Sequence, residues 1–222
     1  MVQQSTVSFL KSLSKNNNKP WFDEHRYQYL ESKSDFENFV STLIKKTAVF
    51  DSDVKELQVK NCVFRINRDI RFSKDKTPYK TNMGASINRG GKKSIYAGYY
   101  FHLEPGDKSF VGGGLWMPEA ENLKKIRQEI DYNLDEFKMI IQNKKFISEY
   151  KQLENGADIK LSNLPRGYDK DNSAAEYLKY KSLIATKYIT DEDIAGKTLA
   201  EITIKAFNGL MPLIKFLNKG LE

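Results

Sequence analysis

The residues best equipped for chemistry in this 222-residue chain lie between Cys62 and Asn82, in the run CVFRINRDIRFSKDKTPYKTN. Arg65, Arg68 and Arg71 each present a rigid fork of donors suited to phosphate or carboxylate, and their spacing lets all three meet one anion. If the segment stays extended, Arg65 and Arg71 face one way and Arg68 the other, so convergence needs a turn or bulge after Asn67. A plainer reading pairs these arginines with the chain's own acids, holding strand to helix. The local charge favours the anion site. From Lys60 to Lys93 ten cations meet only Asp69 and Asp75, a formal +8 within a chain of +7, which leaves everything outside this window at about −1.

Asp69 sits among arginines, which keep a carboxylate ionised and make it a poor general acid. Its expected role is to orient the arginines; a Mg²⁺ site would need substrate phosphate or another carboxylate. Lys74 and Lys80 extend the cationic set, Tyr79 offers it a wall, and Asp75 reads as a turn residue. His25, His102 and the single Cys62 stand at no spacing that suggests zinc, and no Gly-x-Ser-x-Gly elbow is present. The Gly112–Gly114 run lacks the Gly-Lys-Ser/Thr ending of a P-loop, and close backbone packing or a bulge explains it. No motif names a cofactor.

Three function classes follow. The first is a site for a phosphate- or carboxylate-bearing small molecule, enzymatic or not, built from Arg65, Arg68, Asp69, Arg71, Lys74, Lys80 and Tyr79. The second is nucleic-acid binding, with the same cations on backbone phosphates and Tyr79, Tyr96, Tyr99, Tyr100 or Trp116 as stacking faces. The third is a protein-interaction module for an acidic partner. Alternation of Arg and Asp with core-type residues favours the first. A hydrophobic content of 40% predicts a globular fold, a lone cysteine predicts a reducing compartment, and no apolar run approaches a membrane span. The expectation is a soluble cytoplasmic protein with no membrane partner.

Periodicity predicts the elements that must position these groups. Residues 6–14 suit a short helix with Phe9, Leu10 and Leu13 on one face. Asn16–Lys19 breaks it, and Pro20 suits the first position of a second helix, with Asp23 and Glu24 in its first turn, running to about Thr47 with a break near Ser32. Trp21, His25 and Tyr29 share one of its faces. Alternation then predicts a strand at Val63–Asn67 which, if continued, places Phe64, Ile66, Ile70 and Phe72 together. Further strands follow at Met83–Asn88, Ile95–Leu103 and Ser109–Trp116, joined by a turn at Arg89–Lys92 and a type II turn at Glu104–Asp107. On the third strand Tyr96, Gly98, Tyr100 and His102 share the less apolar face, which either lines a cleft or is simply the wetter side of the sheet.

Helices follow from Pro118 to Tyr150, a short one near Ala174–Tyr180, then a strand at Leu183–Ile189. Thr198 and Glu201 match a capping box that opens a last helix to about Leu217, bent near Pro212. The fold class is α+β in one domain, 1–222: N-terminal helices 5–49, an antiparallel meander 62–116, and a helical middle and C-terminal part 118–220.

The segments NNNKPWF (16–22, with His25 and Tyr29), FRINRDIRFSKDKTPYK (64–80) and GGGLWMP (112–118) together resemble a widespread bacterial and fungal family of conserved hypothetical proteins, a domain of unknown function. The resemblance spans nearly the whole chain. It implies a family of this length and supplies no activity or catalytic residues.

Overall fold

The computed structural model describes residues 1–222. Helices α1 (Gln4–Lys15), α2 (Lys19–Glu24) and α3 (Arg26–Thr47) come first, and the short α4 (Val59–Cys62) precedes the signature run. Strands β1 (Met83–Asn88), β2 (Gly98–Leu103) and β3 (Ser109–Leu115) form the expected meander. Then come α5 (Ala120–Tyr132), α6 (Leu134–Ile141), α7 (Lys144–Tyr150), α8 (Ala175–Leu178), β4 (Leu183–Ile189), α9 (Asp191–Ala195) and α10 (Leu199–Lys219). Strand β4 pairs antiparallel with β3, so the sheet has four strands in the order β1-β2-β3-β4 and reaches beyond residue 116. The fold is α+β with a central antiparallel sheet. No helix is long and apolar enough to cross a membrane.

Period-two alternation on β2 puts Tyr99, Phe101 and Leu103 on one face, all buried. Helices α3 and α10 cover that face: Phe39 meets Phe101 at 5.0 Å between ring centroids, and Phe207 meets Tyr99 at 4.9 Å. Helix α10 buries Phe207, Leu210, Leu213, Ile214 and Leu217 in one apolar core that runs from Val2 to Leu221. The helices thus occupy one face of the sheet and leave the centre of the other open.

Five local expectations need correction. Residues 63–72 do not continue as a strand: beyond isolated bridges from Val63 to Ala85 and Asn67 to Tyr79 the run is irregular, and Phe72 is 97% exposed. Side chains bind the run's backbone and compete with a ladder: Asp69 Oδ1 accepts from Arg71 N–H at 3.3 Å, and Lys76 Nζ donates to the Ile70 carbonyl at 2.9 Å. The third strand begins at Gly98 and not at Ile95, because side chains satisfy the backbone just before it. The Asn218 amide accepts from Ala97 N–H at 2.8 Å and donates to its carbonyl at 3.3 Å, and Asn88 Nδ2 donates to the Tyr96 carbonyl at 3.0 Å.

The break in the second predicted helix lies at His25, not Ser32, and Pro20 follows Lys19 as its second residue. Asn18 caps that helix, its side chain accepting from Trp21 N–H at 3.0 Å. Thr198, by contrast, makes no side-chain cap: its backbone is already helical, at φ −87° and ψ −2°, so the capping box does not form.

Candidate functional site

The strand register decides what the open face carries. Opposite the core, β1 presents Gly84, Ser86 and Asn88, and β2 presents Gly98, Tyr100 and His102. From β3 come Phe110, Gly112 and Gly114, and from β4 Ile184, Thr186 and Tyr188. The glycines add no side chain of their own to this face, and a cleft of about 730 Å³ lies over it. Close approach acts at Gly84 against a side chain and at Gly114 against backbone. A Cβ on Gly84 would come 2.4 Å from the Tyr100 hydroxyl, and Gly114 adopts φ +113°, where a Cβ would meet the Leu183 carbonyl at 2.0 Å.

The walls come from three loops. Residues 64–82 contribute Phe64, Lys80 and Asn82; the β1–β2 connection contributes Lys92, Lys93, Ser94, Ile95 and Tyr96; and the stretch after β3 contributes Trp116, Met117, Pro118, Glu119 and Asn122. Trp116 and Ile95 are large apolar side chains left exposed at the rim. Three lysines and one glutamate line the cleft, so it carries a cationic excess. Lys92 spends its ammonium on the backbone, donating to the Lys60 and Val63 carbonyls at 2.7 and 2.6 Å.

Lys80 is the residue of the predicted anion site that reaches this cleft. Its position is set from a distance. The Asn17 side chain donates to the Tyr79 carbonyl at 2.8 Å and accepts from Tyr79 N–H at 3.1 Å, while the Tyr79 ring stacks on Phe22 at 3.9 Å. Lys80 N–H then donates to the Ile66 carbonyl at 2.8 Å. The Lys80 ammonium lies 5.4 Å from the centre of the Phe64 ring, and Phe64 N–H donates to the Gly84 carbonyl at 3.0 Å on β1. Burial lowers the Lys80 pKa, and the neighbouring Arg65 charge lowers it further.

The other predicted site residues are placed differently. Arg68 pairs with Asp75 and donates to Thr77, while Arg71 grips Asp69 with two bonds, Nε to Oδ1 at 2.9 Å and Nη2 to Oδ2 at 2.6 Å. Arg68 and Arg71 therefore each face their own acid, Asp75 and Asp69. The Arg71 contact holds Asp69 below the usual carboxylate range; hydrogen bonds from Thr77, then Arg68, do the same for Asp75. Arg65 lines a neighbouring hollow of about 630 Å³ beside α3, together with Lys60, Lys92 and Lys93. Lys74 is exposed. Tyr79 is buried at 7% exposure and serves as an anchor for the loop, not as a wall.

One line of groups on the open face escaped sequence reasoning. Tyr100, His102 and Glu104 follow at intervals of two, the Tyr100 hydroxyl 3.4 Å from His102 Nδ1 and His102 Nε2 3.0 Å from Glu104 Oε2. A carboxylate at Nε2 favours the proton there and leaves Nδ1 to accept from the tyrosine. Phe110 stacks on the imidazole at 4.6 Å, and burial raises the Tyr100 pKa. The shared face was visible in the alternation; Glu104 was hidden because it reads as the first residue of a turn.

Comparison with known families adds the last observation. Residues 5–216 match the family described as Conserved hypothetical protein (DUF2461). The chain belongs to that family. No curated protein and no solved structure matches it. The stretch matched to DUF2461 contains the Asn17–Tyr79 lock, Lys80 and all four strands.

Proposed function

We propose that this protein binds a small phosphate- or carboxylate-bearing ligand in the cleft on the open face of the sheet. The observation that carries the reading is the placement of Lys80. It is held at the cleft by a long-range lock and lines it together with Lys93, while Arg68 and Arg71 are already matched by Asp75 and Asp69. The anion end of the ligand faces Lys80 and Lys93. The apolar part lies over the glycine floor between Tyr96, Tyr100, Trp116 and Ile184. Of the sequence-predicted set, Lys80 contacts the ligand, Arg65 adds to the positive potential, Arg68, Asp69, Arg71 and Tyr79 build the loop that carries Lys80, and exposed Lys74 stays outside the cleft.

Thermal melts with phenyl phosphate and with benzoate test this, using benzyl alcohol as the neutral control. Both anions are expected to raise Tm for the wild type and to lose most of that effect in Lys80→Met. No shift from either anion at millimolar concentration would remove the reading.

A second reading rests on the loop tip. Phe72 is 97% exposed, and Arg71, Lys74 and Lys76 around it are exposed as well, an arrangement suited to single-stranded nucleic acid. It requires binding to random oligonucleotides that falls steeply with salt and weakens in Phe72→Ala.

A further inference from the structure

We infer that the ligand carries a second anionic group beyond the one at Lys80, held by Arg65 and Lys60 in the hollow beside α3, so that the ligand class is an organic diphosphate: an apolar head followed by two anionic groups in series. This deepens the cleft reading and rests on it.

The two hollows are joined. The cleft over the sheet and the hollow of about 630 Å³ beside α3 share Phe64, Asn82, Lys92 and Lys93 among their lining residues. Phe64 is 37% exposed and Lys93 is exposed, so these residues form a ridge open to solvent and not a closed partition.

Beyond that ridge the charges are unbalanced. Five cations line the hollow, and Glu37 is its single acid. Lys33 reaches Glu37 at 3.7 Å, and Lys92 donates to the Lys60 and Val63 carbonyls. Lys60, Arg65 and Lys93 are left with no ion pair. The neighbouring loop supplies none, because Asp69 is gripped by Arg71 and Asp75 by Arg68. Asn82, on the ridge, makes no side-chain hydrogen bond within the chain and offers a neutral donor between the two anionic groups.

Backbone contacts hold the cations in this arrangement. Phe64 N–H donates to the Gly84 carbonyl at 3.0 Å, and the Ile66 carbonyl accepts from Lys80 N–H at 2.8 Å. Arg65 stands between those two bonds and is kept beside Lys80, one lining the hollow and the other the cleft. Like charges placed together with no acid between them repel, and an anion that bridges them relieves the repulsion. The guanidinium fork suits the terminal phosphate, whose oxygens accept paired N–H bonds. Lys93, which lines both hollows, lies where the two groups meet.

Calorimetric titration of the full chain with phenyl phosphate and with phenyl diphosphate tests this, since the two share a head and differ by one anionic group. The diphosphate is expected to bind roughly tenfold or more tighter. Arg65→Gln and Lys60→Gln are each expected to remove most of that gain while leaving phenyl phosphate affinity within about twofold of wild type, whereas Lys80→Met weakens both ligands. The melting temperature without ligand is expected to stay unchanged in Arg65→Gln, because the exposed side chain has no partner to lose. Lys74→Gln removes an equal charge outside both hollows and is expected to keep the gain. Equal affinity for the two phosphates, or a gain lost equally in Lys74→Gln and Arg65→Gln, would overturn the inference. Phenyl phosphate binding with no gain from the second group leaves the cleft reading and removes only the second site, whereas no binding of either ligand removes both.

Discussion

The side-chain amide of Asn17 bonds both backbone polar groups of Tyr79, 62 positions away, at 2.8 and 3.1 Å. An amide that satisfies a donor and an acceptor on one residue fixes that residue's orientation as well as its place. With the Phe22 ring stacked on Tyr79, this joins the 16–22 and 64–80 segments and sets the direction in which Lys80 leaves the backbone. The lock is the means by which N-terminal helices shape a cleft on the far face of the sheet.

Removing it should therefore cost both stability and binding. Asn17→Ala leaves two partly buried backbone groups without partners, an expected loss of about 1–3 kcal/mol in denaturant unfolding. Phenyl phosphate binding should weaken in the same variant even though Asn17 does not line the cleft. A variant with wild-type stability and binding would show that the loop is held by other contacts.

The loop's acids give a pH dependence of known sign. Asp75 and Asp69 are held below the usual carboxylate range when folded, so their contribution is present above the unfolded pKa, about 4, and is lost as pH falls through the lower folded values. Asp75→Asn should melt below the wild type at pH 7, and the gap should close in melts below about pH 4. A gap that widens in acid would contradict the assigned pairing of Asp75 with Thr77 and Arg68.

Much of the frame could be read from residue order. The alternation of Tyr99, Phe101 and Leu103 with Gly98, Tyr100 and His102 specifies both faces of β2, and the apolar stripe of the last helix places it on the core. The signature was misread as strand because its alternation ignores local competition: Asp75 and Lys76 bond the run's own backbone, and Arg68 closes on Asp75 and Thr77. Of the residues named for an anion site, Lys80 alone lines the cleft on the open face. Lys80 resembles any lysine near a turn until Asn17 and Phe22 are brought to Tyr79, and no local pattern encodes a contact across 62 residues. The glycines after Val111 were legible as close packing, which they are, but the cleft over the sheet is visible only once four strands are aligned.

The floor itself can be filled. In Gly84→Ala the new methyl group would lie 2.4 Å from the Tyr100 hydroxyl, displacing it from His102 at an expected cost of about 1–3 kcal/mol. Because the hydroxyl is the nearest obstacle, Tyr100→Phe should recover part of that loss. The Gly84→Ala/Tyr100→Phe pair should thus be clearly non-additive in unfolding measurements. Additive losses would place the Tyr100 ring elsewhere.

The central claim is that an anionic ligand sits over the sheet's open face beside Lys80. Backbone amide shifts of ¹⁵N-labelled protein, followed by NMR during titration with phenyl phosphate, test it most directly. The predicted result is a saturating set of shifts at Lys80, Gly84, Gly98 and Gly114, abolished or weakened at least tenfold in Lys80→Met. Shifts confined to Arg71–Lys76, or none at millimolar ligand, would contradict it.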